Sequence, residues 1–291
     1  MTFNDNADIS SGKVSRRGRN TAIGIGGGGG LIAIAVLVFS ALTGVDLTGL
    51  APSGGGDSGP EETLNCTAAE ANADDDCRVQ GAYASLDDYW AGISPELGFD
   101  YTAPQPIVIF DGGTDTGCGS ATSAVGPFYC PADQTIYLDT AFYAELRSQF
   151  GASGGPLAQM YIIAHEWGHH IQTITGINSG LDFQTTGPDS DSVRLELQAD
   201  CFAGSWVGAA STIEDADGVT FLEPVTDQQI ADALNAAASV GDDNIQEQTQ
   251  GQTNPESWTH GSSASREKWF QIGYKGGPGA CNTFEVSGSE L

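Results

Sequence analysis

The chain has 291 residues, 38 Asp+Glu against 10 Lys+Arg, and a formal net charge of −28 at pH 7. Lys13, Arg16, Arg17 and Arg19 are four of those ten cations, so the chain beyond them is more acidic still, without the clustered Lys/Arg that would neutralise nucleic-acid phosphates or anionic lipid. Wholesale disorder is excluded too, because 40% of the residues are hydrophobic and 5 Trp, 8 Tyr and 12 Phe can build a core.

Residues 1–20 are polar and end in the basic cluster, and are expected to form a cytoplasmic tail. From Asn20 to Val45 no residue is charged, and Leu31 to Leu42 is the apolar heart of that stretch. Residues 21–45 therefore suffice for the ~20 residues of a helix that crosses a bilayer. A cleaved signal peptide or a buried core helix is the alternative. However, the basic cluster comes late for a signal peptide, and Ser40-Ala41-Leu42-Thr43 is a poor cleavage site. The glycine run Gly26–Gly30 counts against any helix there. Cations before the span and acids after it predict a single-pass anchor with the N-terminus cytoplasmic and the body outside. Residues 46–64, with Pro52-Ser53-Gly54-Gly55-Gly56, are expected to be a flexible linker, and residues 65–291 the folded domain.

Within that domain Ser85-Leu86-Asp87-Asp88 marks a helix start, and Pro95 its end. Ile107–Phe110 and Thr135–Leu138 are expected to be short strands, and 140–150, 156–175, 190–210, 226–240 and 263–274 helices. Strands early and helices late predict an α+β fold. Cys66, Cys77, Cys118, Cys130, Cys201 and Cys281 all follow the apolar segment, and an even number there suggests disulfides. Sequential pairing (66–77, 118–130, 201–281) is preferred, since it closes two short loops and ties the C-terminus to the body. Asp111–Asp115 and Asp215–Gly218 look like pieces of calcium loops but lack the downstream acid, so both are expected to be acidic turns.

The chemistry centres on His165-Glu166-Trp167-Gly168-His169. On a helix, imidazoles four residues apart share one face and can meet one metal ion, and a carboxylate next to the first can reach a water there without ligating. His170 points elsewhere and is expected to be a surface or supporting histidine. A third protein ligand is needed, with a fourth position left open. Glu196 is that candidate, and Asp200, one turn on, would accept a hydrogen bond from a ligating imidazole. His260 is a candidate donor to the oxyanion of a tetrahedral intermediate, or else a helix-start histidine. Arg266 could pair with a buried carboxylate.

His165-Glu166-x-x-His169 with Glu196-x-x-x-Asp200 resembles the Glu-zincin metallopeptidases. Cys118-Gly119, Gly126-Pro127-Phe128-Tyr129-Cys130-Pro131-Ala132-Asp133, Ile136-Tyr137-Leu138-Asp139, Glu196-Leu197-Gln198-Ala199-Asp200-Cys201 and Thr259-His260-Gly261 are, more closely, similar to the bacterial neutral zinc metallopeptidase family. The resemblance implies a zincin-like metallopeptidase domain, one Zn²⁺ ion and a membrane-anchored, exported body. The expected activity is zinc-dependent cleavage of peptide or protein substrates, with Glu166 moving the proton and His260 assisting. The substrate would lie along an edge strand, for which Ile136–Leu138 or Ile107–Phe110 is the candidate. A zinc-binding envelope module without hydrolysis and an amidase acting on cell-wall peptides are the alternatives. The acidic body should disfavour acidic substrates.

Overall fold

The computed structural model describes residues 2–18, 61–149 and 152–291. The predicted membrane segment 21–45 and most of the predicted linker lie outside the described residues. Among the described residues no helix is long and apolar enough to cross a membrane.

Strands β1 (Val14–Arg17), β2 (Glu61–Thr63), β3 (Ile107–Ile109), β6 (Phe128–Cys130) and β7 (Thr135–Leu138) form one mixed sheet, in the order β2-β1-β3-β7-β6. β1 pairs with β3 and β3 with β7 in parallel, whereas both outer pairs are antiparallel. β3 is apolar throughout, and β7 from Ile136 on, because both faces of the sheet are covered there. Ile107, Ile109, Ile136 and Leu138 face the main core under the helices, while Val108, Phe110 and Tyr137 pack with Phe128, Val125 and Ala121 on the other face. There the hairpin of β4 (Gly113–Thr116) and β5 (Gly119–Thr122) lies, tied to β6 by Cys118–Cys130. The other disulfides are Cys66–Cys77 and Cys201–Cys281, which is the sequential pairing.

The boundaries expected from composition need redrawing at the N-terminal end. Residues 2–18 are not apart from the folded domain: β1 is an interior strand of its sheet, and Phe3, Ile9 and Val14 are buried in its core. Glu61–Thr63, placed in the linker by composition, are β2.

The helices are α1 (Ala68–Ala71), α2 (Asp75–Leu97), α3 (Phe142–Gln149), α4 (Pro156–Thr175), α5 (Asp191–Ala209), α6 (Asp227–Ser239), α7 (Asp242–Gln250) and α8 (Ser263–Gly276). Helix α2 starts ten residues before the expected Ser85, because the Asp74 side chain caps it by accepting from the Cys77 N–H. Ser85 is instead buried and accepts from Trp206 Nε1 at 3.1 Å. Pro95 sits in the last turn, where its missing N–H leaves only one helical bond unmade. Helix α7 falls where no element was expected; its own residues are mostly polar, so no apolar periodicity announces it. Both candidate calcium loops are turn and hairpin structure. Asp215 accepts from the backbone of Asp217 and Val219, and Asp115 from the Ser120 hydroxyl.

Helix α4 is the hub, packed against α2, α5, α6, β6 and β7. Its closest approach is to α5, at Gly168: a Cβ there would stand 2.9 Å from the Ala199 Cα. Any larger side chain would push α5, and the carboxylates it carries, away from the two histidines.

Candidate metal centre

Helix α4 has the bounds its apolar spacing predicts, with Pro156 in the first turn and Gly176 after the last. His165 and His169, one turn apart, present Nε2 atoms 3.2 Å from each other. Helix α5 adds Glu196, whose Oε2 lies 3.1 Å from His165 Nε2 and whose Oε1 lies 3.5 Å from His169 Nε2. These three buried residues offer ligand atoms that all lie within 4.8 Å of one another.

The groups behind them decide which nitrogens are available. Asp200 is fully buried and sits 2.8 Å from His165 Nδ1. Arg266 holds Asp200 with two bonds, Nε to Oδ2 at 2.8 Å and Nη2 to Oδ1 at 3.0 Å, and the Tyr161 hydroxyl donates to the same carboxylate. An ionised carboxylate only accepts, so His165 carries its proton on Nδ1. For His169 the partner is Gln172, whose Oε1 is 2.9 Å from Nδ1. Gln172 Nε2 donates to the Leu195 carbonyl at 2.7 Å and to Gln198 Oε1 at 3.1 Å, which turns its oxygen toward the imidazole. Both Nδ1 atoms are therefore donors, and both Nε2 atoms face the centre with the Glu196 carboxylate.

Such a cluster calls for positive charge in its middle. Burial disfavours the charged imidazole of His165, yet Asp200 and Glu196 outweigh it and push the group up to about 10. Burial would raise the Glu196 carboxyl, but His169 and His165 hold it well below the ordinary range. His169, governed by burial, is pulled down instead. A proton and a metal compete here for the same lone pairs. Two imidazole nitrogens and a carboxylate oxygen, each with an oriented supporting partner, fit Zn²⁺ and leave room for a further ligand. Arg266 and Asp200 neutralise each other, so a dication would be balanced by Glu196 and Glu166.

Glu166 is buried beside this set but is not part of it. The backbone N–H of Tyr129 on β6 acts to hold its carboxyl down. Burial pushes Glu166 up to about 7, against His165 and with the help of Glu196.

His260 lies in the loop before α8, which starts from the Ser262 cap. Its Nδ1 is 3.3 Å from Asp242 Oδ1, while Asp242 Oδ2 accepts the backbone N–H groups of Thr259, His260 and Gly261 at 2.8, 2.7 and 2.9 Å. One carboxylate at the start of α7 thus fixes both the loop and the ring. The charge of His260 helps to hold the Glu196 carboxyl down.

His170 is buried, with Nδ1 3.1 Å from the Tyr129 hydroxyl and Nε2 2.7 Å from the Thr102 carbonyl. It is not at the helix surface; it fastens α4 to the strand that runs past Glu166. Tyr161, Gln172, Tyr129 and Asp242 are site residues that sequence reasoning missed. Tyr161 and Gln172 had a signal, four residues before His165 and three after His169 on the same helix face. Asp242 had none, because it meets His260 only through the fold.

Comparison with known proteins agrees with this geometry. An uncharacterized protein of Mycobacterium tuberculosis strain H37Rv is 50% identical over 223 residues, 76% of this chain and 74% of the relative. The uncharacterized protein YpfJ of Escherichia coli K12 is 40% identical over 270 residues, 90% of this chain and 88% of the relative. No solved structure matches the chain. The sequence model described as "Putative neutral zinc metallopeptidase" matches residues 3–284, so the match takes in the N-terminal strand as well as the metal centre. The chain belongs to that family.

Proposed function

We propose that the chain is a zinc-dependent endopeptidase with a membrane-attached, extracytoplasmic body. The observation that carries the hydrolytic reading is Glu166. A zinc site that only braces a fold has no use for an extra buried carboxyl beside its ligands, and burying one is costly. The compartment is read from the six cysteines, all of them paired, which suits an oxidising environment. Attachment is assigned to residues 21–45.

His165, His169 and Glu196 would hold the ion, which when bound supplies Lewis acidity, acidifying water and polarising a carbonyl. Asp200 and Gln172 keep the two imidazoles turned so that Nε2 faces the centre. Glu166 takes the proton of the attacking water and passes it to the leaving nitrogen. His260, oriented by Asp242, donates to the oxygen on which negative charge develops. The substrate's backbone lies along the outer edge of β6, next to Glu166. The strands expected from sequence for this role, Ile136–Leu138 (β7) and Ile107–Phe110 (β3), are both interior in the sheet, so neither has an open edge to offer.

The test is a library of unmodified peptides incubated with the full chain in mild detergent. Cleavage should vanish with a zinc chelator and return with Zn²⁺. Cleavage that ignores the chelator would contradict the metal assignment, and activity on cell-wall peptides alone would favour an amidase.

His260 yields a pH prediction. Burial lowers it, Asp242 more than offsets this, Glu196 adds to the rise and Arg266 opposes it, leaving the imidazole above its ordinary value. A role that needs protonated His260 is present below that raised value and lost as pH climbs through it. In Asp242→Asn the alkaline limb of kcat should therefore move to lower pH, with kcat down about tenfold and KM little changed. His260→Ala should set the floor, about 10²-fold down. An alkaline limb that stays in place in Asp242→Asn would remove His260 from the chemistry.

A further inference from the structure

The N-terminal segment carries a consequence for how the protein sits at a membrane. β1 is an interior strand, paired with β2 through Ser15↔Thr63, Arg16↔Glu62 and Arg17↔Glu61, and with β3 through Val14↔Ile107, Ser15↔Val108 and Arg16↔Ile109. Upstream of it, the Phe3 N–H donates to Asn72 Oδ1 at 2.7 Å, and Asn72 Nδ2 donates to the Phe3 carbonyl at 3.0 Å. The Phe3 ring fills the space beside Gly81, where a Cβ would come within 2.5 Å of it. The Asp8 N–H donates to Asp215, and the Asn4 N–H to the Phe221 carbonyl. These contacts reach α2 and the loop after α5, in the same domain that holds the metal centre.

Two of the early cations are also engaged there. Arg16 pairs with Asp76, and Arg17 Nη1 donates to Thr114 Oγ1 at 2.7 Å and to the Asp115 carbonyl at 2.8 Å. Arg17 also pairs with Glu61 at 3.7 Å, and cations held by acidic partners on the folded domain do not serve as a free cytoplasmic marker, so the positive-inside argument loses much of its basis. The geometry at the strand ends is stricter. The chain leaves β1 at Arg17 and re-enters at Glu61, its direct partner across the antiparallel pair. A single crossing between them would separate the two residues by the ~30 Å of the hydrocarbon core, whereas paired strands lie about 5 Å apart.

We propose that residues 2–18 and the metal centre occupy the same side of the membrane. Any passage of residues 21–45 into lipid then returns to the face it left, and the mature protein keeps its N-terminal strand. This holds whether or not the centre is hydrolytic.

The experiment uses the full chain with an epitope tag at each end, expressed in a bacterium and treated with protease as intact spheroplasts and after lysis. Both tags should disappear in the same step, whichever step that is. Loss of the C-terminal tag from intact cells with the N-terminal tag protected until lysis would overturn the proposal. A second measurement inserts a specific protease site at Gly55 and purifies the cut, detergent-solubilised protein natively by its C-terminal tag. The N-terminal fragment should be retained, and Val14→Pro, which breaks an interior strand, should release it. Loss of the fragment from the unsubstituted chain, or its equal retention with Val14→Pro, would also overturn it.

Discussion

Glu166→Gln is expected to leave the zinc content of the protein unchanged and to lower peptide hydrolysis by about 10²–10⁴-fold, the usual contribution of a positioned proton carrier. Glutamine has nearly the same shape, so the packing of α4 against β6 should survive. The ligand atoms belong to His165, His169 and Glu196 and are untouched. What is lost is the ability to take up a proton near neutral pH, where burial has brought the Glu166 carboxyl. Metal analysis and steady-state kinetics on the same preparation separate the two effects. Undiminished hydrolysis in the zinc-loaded variant would sink the mechanism. A fall in zinc content matching the fall in rate would assign Glu166 to metal binding instead.

A chain begun at Glu61 is expected to lose its cooperative fold, although composition alone makes it the natural soluble fragment. Phe3, Ile9 and Val14 are each at most 2% exposed. Burying such side chains contributes about 1.5–3 kcal/mol apiece, against a total stability of about 5–15 kcal/mol for a typical domain. Their removal would also strip β3 of its β1 partner and leave β2, only three residues long, with no strand to pair with. Near-ultraviolet circular dichroism during a thermal scan should show no sharp transition for this fragment. A melting temperature within a few degrees of the full chain would mean that the N-terminal strand adds little.

The parts of the centre legible in the sequence are those set by helical geometry alone. His165 and His169 must share a face at four-residue spacing wherever their helix lies, and so must Glu196 and Asp200. The α4 and α5 boundaries came close for the same reason, since Pro156, Gly176 and the Ser190 cap are local signals. The α+β class and the short strands at 107 and 135 were equally local.

Misjudged were the features that depend on partners far along the chain. Residues 2–18 are polar and partly basic, and nothing local distinguishes a tail from an interior strand that pairs with residues 61–63 and 107–109. Whether a strand has a free edge is a property of sheet order, so that β6 is an edge while β7 and β3 are interior is visible only once neighbours are known. Arg266 does pair with a buried carboxylate, as its sequence suggested, but that the partner is Asp200, and that Asp242 meets His260, are long-range facts as well. Periodicity and caps act through contacts a few residues apart and can be read off the chain. The convergence of α4, α5 and the loop before α8 on one centre rests on close packing, such as that at Gly168, which only the folded molecule specifies.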